Sequence, residues 1–244
     1  MDIKQFLERF VEGYLFADLD NMAKIKVDGD GNCGYPMVMT VLAGIELLGT
    51  LTYPYPLGLE QPSSVEAGMD EEASSFGNTQ FSWYWKHFLT RTDPHCYKVK
   101  GDISSAIRSL LRNGLAHTFL AKPGIEVRKF QPASHMKSGA SRLIIDATKF
   151  AEDFKQSYWK SIRPIVSGKQ AIINGHTISF QSMQERLNEL AAAYTKEAET
   201  SFEELMGKIP TVPATQSPEP SGSFNFSSPG IDAITNVASK QLRQ

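Results

Sequence analysis

Residues 36–51, PMVMTVLAGIELLGTL, are apolar nearly all the way round a helix. A helix without a polar face must be covered on every side by other elements. This stretch therefore predicts a central helix and, with the flanking patterns, a mainly α bundle. The run from Met37 to Leu51 is broken by Thr40, Gly44, Glu46 and Gly49, which reads as too short and too polar for a bilayer span, so no membrane partner is expected.

The covering helices are legible from their periodicity. Ile3, Phe6, Leu7, Phe10, Val11, Tyr14 and Leu15 follow the i, i+3, i+4, i+7 rule of an amphipathic helix. Asp28-Gly29-Asp30-Gly31-Asn32 reads as a turn before the central helix. Residues 53–77, with Pro54, Pro56, Gly58 and Pro62 followed by Asp70-Glu71-Glu72, read as a long polar loop. Phe81, Trp83, Tyr84, Trp85 and Phe88 predict a third helix over 78–90, its aromatics serving as core. A fourth helix over 102–121 carries Ile103, Ala106, Ile107, Leu110, Leu111, Gly114, Leu115 and Phe119. Two β runs, 125–130 and 142–146, predict a small hairpin, and 148–162 a fifth helix. Asn174-Gly175 marks a two-residue hairpin across 171–180, because both positions of a type I′ turn need positive φ. A long helix follows over 182–206. The domain is expected over 1–208, with its core in about 1–165 and the hairpin plus long helix at 171–207. Residues 209–244, rich in Pro, Ser, Thr and Gly, predict a disordered tail. Ile231–Leu242 is a candidate terminal helix and protein-docking segment.

A formal net charge of −2 excludes a globally basic, non-specific nucleic-acid binder, so any such contact must be local. Lys98, Lys100, Arg108, Arg112, Lys122, Arg128 and Lys129 supply a local positive excess that could attract phosphate. Two cysteines, Cys33 and Cys96, are too few for a disulfide scaffold and lack metal-ligand spacing. His87, His95 and His135 share no ligand spacing either, so neither metal nor cofactor is expected. With no signal-peptide pattern at the N-terminus, the expected compartment is cytoplasmic.

The most chemically suggestive stretch is Arg112-Asn113-Gly114-Leu115-Ala116-His117, within the fourth predicted helix. Arg forks onto phosphate oxygens and is always charged. His passes a proton near neutral pH. At ~100° per residue, Arg112 and His117 lie about 140° apart, on opposite borders of the apolar stripe. They converge on one ligand only if two copies of the helix meet across a two-fold axis or if the helix kinks at Gly114. Arg112 as a solvated surface residue and His117 as a satisfied helix histidine is the bland alternative.

The Arg–polar–x3–His pattern resembles that of HEPN domains, helical bundles marked by Arg, four to six intervening residues, then His. The wider segment from Leu110 to Lys122, and Asn32-Cys33-Gly34-Tyr35-Pro36 leading into the apolar helix, also look like bacterial members of that group. The likeness covers residues 1 to about 165. It implies a homodimer through helix 102–121 and metal-independent cleavage of RNA, in which His117 moves the proton, Arg112 neutralises the transition state and Asn113 orients His117 or a phosphate oxygen. A toxin–antitoxin or anti-phage setting comes with the resemblance alone. A HEPN-like nucleotide- or partner-binding scaffold without catalysis is the alternative. A second alternative rests on Asp30-Gly31-Asn32-Cys33, which resembles the nucleophile segment of OTU-type cysteine proteases. Gly34-Tyr35-Pro36 departs from that family's continuation, and His176 is the one late histidine available to Cys33.

Overall fold

The computed structural model describes residues 1–26, 32–55, 76–98, 107–108, 124–139 and 142–206. The turn at 28–31, most of the 53–77 loop, the 102–121 helix apart from Ile107 and Arg108, the Arg112–His117 stretch and the 209–244 tail lie outside the described residues. The protein is mainly α with small β insertions. It divides into two compact units, Asp2–Arg186 and, with Met1, Leu187 onward. Of the second unit the described part is the continuation of the last helix to Met206.

The first helix, α1, runs through three contiguous segments, Ile3–Phe6, a π-helical Leu7–Leu15 and Phe16–Lys24. Asp2 opens it with a capping box: its carboxylate accepts from the Gln5 amide at 2.7 Å, and the Gln5 side chain accepts in return. Gln184 accepts from the Ile3 amide at 2.6 Å, which ties the end of α1 to the last helix. The buried positions are Ile3, Phe6, Leu7 and Val11, then Phe16 and Leu19. The five-residue step from Val11 to Phe16 is the stride of a π-helix, not of an α-helix. This step explains why Tyr14, expected on the buried face, is exposed.

Helix α2, Gly34–Thr52, is central as predicted and packs against α1 and two further helices. These are α3, in segments Phe76–Tyr84, Trp85–Leu89 and Thr90–Thr92, and α5, in segments Ala147–Ser157, Tyr158–Ile162 and Arg163–Val166. Two of the residues that interrupt the apolar run are its points of closest approach. A Cβ on Gly44 would lie 2.5 Å from the Phe154 ring, and one on Gly49 would collide with the backbone carbonyl of Gln80. At 19 residues and mean hydropathy 1.4, α2 is longer than the apolar run suggested, and is long and apolar enough to cross a membrane. In this fold half of that apolar stretch is buried, against three helices, and Glu46 in its middle takes the guanidinium of Arg108 at 2.9 Å.

The aromatics of α3 are core, as expected: Phe81, Tyr84, Trp85 and Phe88 are buried. The short helix α4, Pro94–Tyr97, follows, capped by Asp93. In α5 the π-helical stretch Tyr158–Ile162 directly precedes Pro164, whose missing N–H cannot join the ordinary ladder.

The predicted hairpin at 125–146 is corrected. Strands β1, Ile125–Arg128, and β3, Arg142–Asp146, are parallel, and β2, Lys137–Gly139, pairs antiparallel with β3, giving the order β1-β3-β2. The connection after β1 carries a 3-10 turn, Pro132–Ser134, and left-handed backbone at Phe130 and Met136, so the chain swings round rather than back. Lys-Ser-Gly in β2 has no apolar alternation to betray a strand. The Asn-Gly hairpin forms as predicted. Strands β4, Ala171–Ile173, and β5, His176–Ile178, flank Asn174 and Gly175 at φ 50° and 79°. Helix α6, Phe180–Met206, begins after it.

Candidate functional site

Arg112, Asn113 and His117 lie outside the described residues. What the structure places is the approach to them. Ile107, an apolar position of the predicted stripe, is buried, and Arg108 beside it is pinned to Glu46 of α2.

The expected positive excess is smaller than the sequence suggests. Arg108 is buried against Glu46. Arg128 is paired with Glu126 at 2.6 Å. Lys129 donates to the carbonyls of Met22 and Ile25, closing the C-terminal end of α1, and burial lowers its pKa. Lys98 is exposed. Lys100 and Lys122 lie outside the described residues.

Cys33 does stand at the start of α2, half-buried, with a left-handed φ of 56°. His176 lies against Tyr55, just past the other end of that helix, with Tyr55 Oη and His176 Nε2 3.1 Å apart. The 19-residue helix between them spans ~28 Å at 1.5 Å per residue. Cys33 and His176 therefore cannot form a nucleophile–base pair within one chain.

A polar cluster missed in the sequence lies where α3, α4, β3 and α5 meet. The Asp146 amide donates to His135 Nδ1 at 3.1 Å, which puts the imidazole proton on Nε2. That nitrogen faces Tyr97 Oη at 2.9 Å, and the Tyr97 hydroxyl donates to Asp153 Oδ2 at 2.9 Å. Lys149 Nζ donates to both Asp153 oxygens, at 2.5 and 2.7 Å, and stands 3.5 Å from Asp93. Tyr97, His135 and Asp153 are each buried. Burial lowers the His135 pKa to about 4, keeping the ring neutral, and together with Asp153 raises that of Tyr97 well above its ordinary value. The neighbouring Cys96 thiol is pushed up to about 11 by burial and by Asp93, which removes its nucleophilicity near neutral pH. Each donor in this chain already has its acceptor. A network so satisfied braces the junction of four elements and leaves no group turned towards a substrate. No sequence signal could have found it, because Tyr97, His135 and Asp153 are far apart in the chain.

Between α1 and α5 lies an open depression of about 390 Å³, lined by Glu12, Phe16, Asp20, Glu152, Lys155, Gln156 and Trp159. Lys155 is ion-paired with Asp20, and Glu12 accepts from the Tyr158 hydroxyl at 2.6 Å. Three carboxylates against one paired ammonium make this surface a poor host for phosphate.

A different surface gathers at the end of α1, the start of α2 and the end of β1. Phe130 is 41% exposed although its φ is 62°. The Lys26 and Lys129 ammonium groups stand 5.1 and 4.8 Å from the centre of its ring. Among the described residues no group of three or more His, Cys, Asp or Glu is placed to hold a metal ion. No protein-family model matches the chain, and neither a curated protein nor a solved structure is significantly similar to it.

Proposed function

We propose that the protein is a metal-independent endoribonuclease of the HEPN kind, acting as a homodimer in which Arg112 of one subunit approaches His117 of the other. The observation that carries this reading is the Arg112-Asn113-x3-His117 motif on an apolar-periodic segment of a helical protein. The burial of Ile107 and the ion pair of Arg108 with Glu46 of α2 support it, since a motif acting across a two-fold axis needs a rigid base.

The chemistry follows from the two side chains. Neutral His117 takes the proton of a ribose 2′-hydroxyl as that oxygen attacks the adjacent phosphorus. As imidazolium it then protonates the departing 5′-oxygen, leaving a 2′,3′-cyclic phosphate and a 5′-hydroxyl. Proton transfer of this kind accelerates a reaction ~10²–10⁴-fold. Arg112 offsets the extra negative charge of the pentacoordinate transition state with a fixed cation. Asn113 holds His117 or a phosphate oxygen in place.

The test is cleavage of single-stranded RNA by the purified full chain in the presence of a chelator, with the product ends identified by mass spectrometry. Loss of at least 100-fold in rate is expected for both His117→Ala and Arg112→Ala. Undiminished cleavage in either variant overturns the assignment. Binding of RNA without cleavage by the wild type favours a HEPN-like scaffold.

A further inference from the structure

We infer that Phe130, with Lys26 and Lys129, is a stacking platform for single-stranded RNA, a contact surface separate from Arg112 and His117. It deepens the ribonuclease reading by naming how the substrate strand is held, but it rests on its own observations.

The first is backbone. Phe130 has φ 62°, a region that bulky non-glycine residues rarely adopt, because Cβ crowds the carbonyl oxygen. The conformation does not serve to bury the ring fully, since the residue stays 41% exposed. An unfavourable backbone conformation kept in order to display an apolar ring in water points to something that uses the ring. The flanking structure pins this geometry. The next amide, of Gln131, donates to the buried Asp146 carboxylate at 2.6 Å. Lys129, on the other side, donates at 2.6 and 2.7 Å to the carbonyls of Met22 and Ile25.

The second observation is charge. Two ammonium groups lie within about 5 Å of the ring centre, at 5.1 and 4.8 Å. Lys129 is tied to the Met22 and Ile25 carbonyls, so the ammonium that meets a phosphate is that of Lys26, whose side chain is exposed. A nucleotide offers what this pairing asks for: a flat π-face for the ring and, one sugar away, a phosphate for Lys26. Duplex RNA buries those faces in its stack, so the platform selects single strands. With one ring and two cations, the contact covers one or two nucleotides.

The test uses the full chain carrying His117→Ala, so that binding is read without cleavage. A fluorescently labelled single-stranded oligoadenylate is titrated and its anisotropy followed at several salt concentrations. Phe130→Ala is expected to weaken binding roughly 5- to 100-fold, the range for losing one stacked base. Phe130→Trp is expected to keep the affinity, and Lys26→Ala to flatten the slope of log affinity against log salt by about 0.7. A duplex of the same length should bind more weakly and without dependence on Phe130. Phe130→Gly removes the ring and the backbone strain together, and a melting temperature measured alongside separates weak binding from misfolding. The inference is overturned if the oligoadenylate does not bind, or if binding is unchanged in Phe130→Ala and Phe130→Gly. Cleavage by the native sequence is read separately. Binding that depends on Phe130 alongside no cleavage would sink the nuclease reading and leave the platform standing.

Discussion

The protein carries two clusters that pair an aromatic side chain with cations or imidazole, and they are built in opposite ways. Around Tyr97 each polar group is already partnered and all but the half-buried Lys149 are buried, from the Asp146 amide through His135 and the Tyr97 hydroxyl to Asp153. Around Phe130 a partly exposed ring sits on a left-handed backbone with two ammonium groups over it. Perturbed titration and a histidine would usually direct attention to the first. Its hydrogen bonds say otherwise, because a group that is both desolvated and satisfied has nothing left to offer a ligand. An exposed ring in a costly conformation is the better sign of a contact surface.

The sharpest way to break this contrast is to remove Asp153. Asp153→Ala leaves the Tyr97 hydroxyl without its acceptor and Lys149 without its main partner. A loss of about 3 kcal/mol in unfolding free energy is expected by urea denaturation. A loss below about 1 kcal/mol would mean that the cluster does not brace the fold and would reopen it as a reactive site.

The next largest effect is pH dependence. Burial lowers the pKa of His135 to about 4 and that of His87 to about 4, the latter with help from Lys86 and Arg91. A histidine whose folded pKa lies below the unfolded value takes up its proton more readily when unfolded. Its stabilising contribution is present above about pH 6.5 and is lost as pH falls from there towards 4. The melting temperature should therefore drop across that window. His135→Gln, which cannot charge, should flatten the drop while lowering stability at pH 7. An equally steep drop in that variant would show that His135 is not held neutral.

The smallest expected effect is at Phe130. Phe130→Gly relieves a left-handed backbone and removes a partly exposed ring, so thermal stability should stay within about 1 kcal/mol of the native protein. A loss beyond 2 kcal/mol would make Phe130 a structural residue and undo its contrast with Tyr97.

Several elements are legible in the amino-acid sequence. The apolar run at 36–51 demands a central helix, and α2 is that helix. Asn174-Gly175 demands a tight hairpin, and both residues have positive φ. The aromatics at 81–88 have the spacing of a core-facing helix, and most of them are buried. These features succeed because their physics is local: a side-chain pattern, or a backbone conformation that few residues tolerate. The hairpin expected at 125–146 is instead a parallel pair with a third strand beside it, because strand order is decided by which edge each strand meets. Tyr14 leaves the buried face because a π-helical stride, invisible in a pattern read at 3.6 residues per turn, moves the stripe from Val11 to Phe16.

Of the candidate sites, the Arg112–His117 motif is visible in sequence because both residues lie within one six-residue stretch. The sequence by itself thus determined a helical protein, its central helix and its tight Asn-Gly hairpin. Only the tertiary structure decided that Cys33 and His176 stand a helix length apart, that Arg108 is spent on Glu46, and that Lys26 and Lys129 meet over Phe130. Each is a relation between residues distant in the chain, and such relations are decided by packing, which no local pattern encodes.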